Sequence, residues 1–208
     1  YLINMITDQA DENILAKVAR ELVAPEKGIL AADESSGTMN KRLDTIKVEG
    51  TLENRLMWRE IATSSPGIEE AISGVILFDE TLMLPLPSGK MIVDLLKSKN
   101  IHPGIKVDLG LVKINKQGET FTQGLDKLEE RLIEYKKMGA VFAKWRAVYK
   151  IGEKIPSPVA IMANSIGLAE YAFLCQKVGL VTIVEPEILV LEGSHDINKS
   201  KEITNKIL

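Results

Sequence analysis

Cysteine and histidine are scarce: one cysteine, Cys175, and two histidines, His102 and His195, in 208 residues. A single thiol closes no disulfide within the chain, which suits a reducing compartment. Two well-separated histidines and one cysteine give no zinc-ligand spacing, and they leave no Ser-His-Asp set to assemble. Basic residues are not in surplus, since the formal net charge is -3. That excludes a general nucleic-acid binder while leaving room for a local basic pocket. The glycine-rich phosphate loops G-x-G-x-x-G and G-x-x-x-x-G-K-[ST] are missing. No stretch comes near the ~18 apolar residues of a membrane helix, so no membrane insertion is expected. The start of the chain carries Asp8, Asp11 and Glu12 where a signal peptide needs a basic start and an apolar run. The cytoplasm is the expected location. The first residue is Tyr1, so the numbering is expected to begin inside a longer polypeptide.

What is present is a repeated alternation. Five short runs rich in Ile, Val and Leu read as strands: Gly28–Ala32, Gly74–Phe78, Gly104–Val107, Val141–Val148 and Leu180–Ile188. Their near-continuous apolar character suits strands buried on both faces of a parallel sheet. Helical patterns fall between and after them, over Leu52–Ile61, Lys90–Lys99, Leu125–Met138, Pro158–Val178 and Asn198–Leu208. Ser88 is a candidate cap for the second. Gly139 stops the third, while Ser157, Pro158 and Gly179 frame the fourth. Strand–helix alternation implies a parallel α/β architecture. A doubly wound sheet and a (β/α)8 barrel both satisfy it. The barrel is preferred because charged residues recur at strand ends: Asp33; Lys106 and Asp108; Lys144 and Arg146; Glu185 and Glu187. The last three pairs are spaced i, i+2, which sends both side chains to one side of a strand. A barrel takes about 250 residues, so a chain with five visible strands is expected to be an incomplete one.

Lysines set among carboxylates suit proton transfer and carbonyl chemistry. A neutral lysine amine attacks a ketone to form an imine, which then serves as an electron sink for C–C cleavage. Carboxylates supply the acid and base, and cations at the mouth hold phosphates. Plainer readings compete with this one. Glu185 and Glu187 also fit an exposed acidic loop, Lys144 and Arg146 the solvated end of a helix, and Asp33 a turn before Ser35-Ser36-Gly37. Glu129, Glu130, Arg131, Lys136 and Lys137 read as a solvated helix face, and Cys175 as a packing residue.

The run Lys27–Ser35 (KGILAADES) resembles the first-strand signature of class I fructose-bisphosphate aldolases. Gly74–Phe78 followed by Glu80-Thr81-Leu82, then GIKVD at Gly104–Asp108, TQGL at Thr122–Leu125, YKK at Tyr135–Lys137, FAKWR at Phe142–Arg146 and VEPEIL at Val184–Leu189, follow in the family's order. The likeness runs from about Leu15 to the end. It implies one (β/α)8 barrel domain over residues 1–208, incomplete at its C-terminal side. It also implies reversible cleavage of fructose 1,6-bisphosphate to dihydroxyacetone phosphate and glyceraldehyde 3-phosphate, with no metal or other cofactor. By the same resemblance Asp33 handles substrate hydroxyls and Lys144 stabilises charge at the breaking bond. Glu185 is the acid/base of the imine steps, and Glu187 lies beside the imine lysine. Lys106 binds substrate near the reacting centre. Arg42, with Ser35 and Thr38, holds a phosphate; the family more often has serine where Thr38 stands. Arg146 and Arg55 complete the substrate-binding set. The family is usually homotetrameric. Its imine lysine lies on the sixth strand in a Leu-Lys-Pro-Asn-Met segment, which these residues lack, so the chain is expected to belong to a longer polypeptide. Two alternatives stay open: a non-catalytic aldolase-like binding protein, and another Schiff-base barrel lyase.

Overall fold

The computed structural model describes residues 9–190 and 195–208; Asp8 lies outside them. The described chain opens with α1 (Gln9–Leu22), β1 (Gly28–Ala32), α2 (Ser36–Thr45), α3 (Leu52–Ser64), the short α4 (Ile68–Ala71) and β2 (Ile72–Leu77). It continues through α5 (Asp79–Met83), α6 (Ile92–Ser98), β3 (His102–Lys106), β4 (Leu111–Lys113), β5 (Thr120–Thr122) and α7 (Leu128–Lys137). It closes with β6 (Phe142–Lys150), α8 (Pro158–Val178), β7 (Val181–Leu189) and α9 (Ile197–Ile207). Strands β1, β2, β3, β6 and β7 pair in that order, all parallel, and β4 and β5 form a separate antiparallel ribbon. This is the (β/α) barrel architecture through its fifth strand, with β1 and β7 at the two edges.

The five expected strands are all present, the first with the expected bounds and the other four displaced by a residue or two. The sequence reading missed α1, α2, the short α4 and α5, and the β4–β5 ribbon. α2 carries few apolar residues and starts with Ser36-Gly37, so its periodicity is faint. What starts it is a cap: Ser35 Oγ accepts from the Thr38 amide at 3.4 Å. α8 fits its signals, with Ser157 Oγ accepting from Ala160 N, Pro158 first and Gly179 left-handed just past the end. α6 departs from them. It starts at Ile92 with Met91 in the cap position, so Ser88 is no cap; the Ser88 amide donates to the Glu60 carboxylate of α3. α7 starts at Leu128, since Lys127 takes a left-handed φ of 54°.

Each buried strand has two working faces. Outward residues (Val75, Leu77, Ile105, Ala143, Trp145, Ala147) join helix residues (Leu96, Leu132, Leu168, Tyr171, Cys175) in one large core. The inner face carries a smaller cluster of Leu22, Ile76 and Phe142. Phe142 fills the space over Gly104, where an added Cβ would sit 2.2 Å from the ring. That close approach explains a glycine inside a strand. α1 covers the N-terminal ends of the strands, where Ser73 Oγ donates to Leu22 O at 2.6 Å.

One expectation needs correcting. By length and composition alone, α8 is apolar enough to cross a membrane, contrary to the reading that no stretch comes near. Leu168, Tyr171 and Cys175 are nonetheless packed in the sheet–helix core, which makes α8 part of the outer helical layer.

Candidate active site

Strand register sets the site. Gly104, Phe142 and Val181 align across β3, β6 and β7 on the inner side. Two residues further up, on the same side, stand Lys106 and Lys144; two further still stand Asp108, Arg146 and Glu185. The charges therefore gather at the C-terminal ends of the strands, above the Phe142 layer, where a barrel keeps its functional groups.

At the centre is Lys144, which is buried. Its Nζ lies 3.1 Å from Asp33 Oδ2, across from the end of β1, and 2.9 Å from Glu185 Oε2 on β7. The second contact is an ion pair by distance without hydrogen-bond alignment, since that oxygen has no aligned donor. Burial pulls the Lys144 ammonium towards neutrality, but Asp33 and Glu185 outweigh it and raise its pKa above the ordinary lysine value. Lys106 Nζ pairs with Asp108 Oδ1 at 2.9 Å, and Arg146 pairs with Glu187 one diagonal step from the Lys144–Glu185 pair.

Above these charges opens a cavity of about 610 Å³. Asp33, Ser35, Thr38, Arg42, Lys106, Lys144 and Arg146 all line it, so seven of the ten residues singled out in the sequence share one space. Glu185 and Glu187 join it through their pairs with Lys144 and Arg146. On the β1 side, Ser35 and Thr38 form the first turn of α2, with hydroxyls 3.1 Å apart. Arg42 stands exposed and paired with Glu34. A helix N-terminus with two hydroxyls and an arginine is suited to an anion.

Arg55 is the exception. It does not line the cavity, and its guanidinium is committed to Glu80 (2.8 and 2.9 Å), Asn40 Oδ1 (3.0 Å) and Gly50 O (2.8 Å). Hydrogen bonding to Glu80 is the largest cause raising its pKa. It lies behind the cavity wall. Arg131 also departs from its reading as a solvated charge, since it donates to Val107 O and Gly124 O and braces the loop that carries Asp108.

The cavity is also lined by residues outside those ten, among them Glu34, Asp108 and Leu109–Leu111. Asp108 is buried, with one carboxylate oxygen lacking a partner; its i, i+2 spacing from Lys106 was the available signal. Glu34 adjoins Asp33, and Leu109–Leu111 enters because the β4–β5 ribbon folds back beside β6, with Thr122 Oγ1 donating to Arg146 O at 2.8 Å. Among the described residues, no group of three or more His, Cys, Asp or Glu is arranged to hold a metal ion.

A parallel barrel sheet with lysines and carboxylates converging over its C-terminal edge defines a lysine–carboxylate barrel site of the kind carbonyl chemistry uses. Residues 14–208 match the glycolytic fructose-bisphosphate aldolase class-I family. The chain is 52% identical over 200 residues to cytosolic fructose-bisphosphate aldolase 5 of Arabidopsis thaliana, covering 96% of this chain and 55% of that protein. It is 49% identical over 206 residues to fructose-bisphosphate aldolase C of Carassius auratus, covering 98% and 56%. A solved structure of Plasmodium falciparum fructose-bisphosphate aldolase, in a ternary complex with TRAP and a small-molecule inhibitor, superposes with a TM-score of 0.93 at 47% identity, covering 97% of this chain and 58% of that one. The chain belongs to the class-I fructose-bisphosphate aldolase family. It spans about half the length of the curated relatives it matches.

Proposed function

We propose that this chain forms the first five strands of a cytosolic aldolase that cleaves fructose 1,6-bisphosphate reversibly through a lysine imine, with the imine lysine supplied by sequence outside residues 1–208. The single observation that carries the reading is Lys144 held between Asp33 and Glu185 on the floor of the cavity. In this reading the imine lysine attacks the C2 carbonyl. Glu185 donates and accepts the protons that expel water from the carbinolamine, and Glu187 lies beside the imine nitrogen. Asp33 takes the C4 hydroxyl proton as the C3–C4 bond breaks, and the electron pair flows into the imine. Lys144, kept charged by its two carboxylates, stabilises the negative charge that develops on the departing oxygen. One phosphate sits at the α2 N-terminus on Ser35, Thr38 and Arg42, and Lys106 and Arg146 hold the sugar chain between the ends.

Several similar proteins are named as cytosolic or cytoplasmic isozymes, which supports that location. A homotetramer is the proposed assembly. Val159, Met162, Ile166 and Phe173 form an apolar stripe on the outer side of α8, each more than half exposed, and a second copy of the chain is the proposed cover. The test of function is turnover of fructose 1,6-bisphosphate by the full-length polypeptide with and without EDTA. Equal rates are expected; loss with EDTA that zinc restores would overturn the imine reading.

A further inference from the structure

Arg59 sits in α3 among charges that look alike in the sequence, yet it is fully buried. Its Nε donates to Ala32 O at 3.1 Å and its Nη2 to Glu34 O at 2.6 Å. Those two carbonyls flank Asp33, so one planar guanidinium spans the turn that presents the Asp33 carboxylate. The third nitrogen donates to Glu80 Oε1 at 3.2 Å and to Arg55 O at 3.4 Å. Glu80 also accepts from Ser36 Oγ at 3.2 Å, which ties in the first residue of α2. Neither Arg59 nor Glu80 lines the cavity, so both grip residues 32–36 from behind.

A buried cation is costly unless it is paired and hydrogen-bonded, and an apolar side chain of similar volume is often the more stable choice. Burial is the largest influence on Arg59 and pulls its pKa below the ordinary arginine value, with Glu80 and Glu34 opposing. What the guanidinium offers in return is a rigid fork that fixes two acceptors relative to each other. The acceptors here are the backbone on either side of a residue whose carboxylate must stay within reach of Lys144.

We propose that Arg59 is a positioning residue for Asp33: it clamps the Ala32 and Glu34 carbonyls and so holds the Asp33 carboxylate in register with Lys144. The proposal rests on the aldol-cleavage reading. Since Asp33 acts after the imine has formed, loosening it should slow C–C cleavage and spare imine formation.

The test compares Arg59→Lys with wild type in the full-length polypeptide by three readings. These are kcat and KM for fructose 1,6-bisphosphate cleavage, borohydride trapping with dihydroxyacetone phosphate, and amide hydrogen exchange across residues 33–38. The expected result is a kcat lowered by ~10–100-fold, the scale of a misplaced reacting group. KM and trapping should stay near wild type, with faster exchange at 33–38 than at β6 or α8. An unchanged kcat would overturn the proposal. Trapping that falls in step with cleavage would overturn it too, because the damage would then be general. If Arg59→Lys fails to fold by circular dichroism, Glu80→Gln carries the test with the same signs and smaller amplitude. If wild type neither cleaves nor traps, the aldolase reading fails instead, and the exchange at 33–38 still decides whether Arg59 clamps the turn.

Discussion

Burial draws the Lys144 amine towards its neutral form, yet Asp33 and Glu185 oppose that and win. Because its pKa in the fold is raised, Lys144 is cationic at neutral pH and loses that charge only as pH rises through the shifted value, above the ordinary 10.5. A charged amine is no nucleophile, so Lys144 suits the stabilising of developing charge and not imine formation. Lys144→Met in the full-length protein should lower kcat by ~10²–10³, as loss of a preorganised charge does, with a smaller change in KM. Glu185→Gln keeps the side-chain shape and removes the acid, so the rate of imine trapping should fall by ~10²–10⁴. Asp33→Ala should trap normally and cleave slowly. Single-turnover trapping run beside steady-state rates separates the three; normal cleavage by Asp33→Ala, or normal trapping by Glu185→Gln, would return those residues to a structural role. Cys175 has no part in this, being fully buried with its thiol pushed up to about 12.

The elements make a second demand on the sequence, that bulk and gap must alternate across the barrel floor. Gly104 on β3 faces Phe142 on β6, and the ring is fully buried with no room to retreat. Gly104→Ala should therefore destabilise the fold by ~1–3 kcal/mol, the range for overpacking. Phe142→Leu in the same chain should recover part of that loss in a urea double-mutant cycle. Additive losses would mean the two residues do not meet. Gly104 was readable in the sequence only as the start of a strand; its partner was not, because β3 and β6 are joined through the β4–β5 ribbon and α7. The same distance limits what else was legible. Strands announced themselves through apolar runs and i, i+2 charges, and α8 through Ser157, Pro158 and Gly179. Arg55 entered only through the family resemblance, nothing in the sequence marked Arg59 or Glu60, and only packing against β1 and α5 separates the buried Arg59 from its neighbours. The β4–β5 ribbon, with three residues in each strand, is too short for any period to show.

For the molecule as a whole, two surfaces ask for partners. The α8 stripe faces away from the sheet, so closing the barrel would leave it uncovered, and a second copy is the proposed cover. Ile166→Glu with Phe173→Glu should convert the proposed tetramer to smaller species by analytical ultracentrifugation while the circular dichroism spectrum is retained. An unchanged tetramer would place the interface elsewhere. The other surface is the pair of open edges at β1 and β7. Unpaired edge strands invite association, so their pairing by further barrel strands goes with the proposal that the imine lysine comes from sequence beyond these residues. The most direct test of the account is borohydride reduction of the full-length polypeptide in the presence of dihydroxyacetone phosphate, read by intact mass and peptide mapping. The account predicts one reduced adduct per chain, on a lysine C-terminal to Leu208, with Lys106 and Lys144 unmodified. No adduct, or an adduct on Lys106 or Lys144, would contradict it.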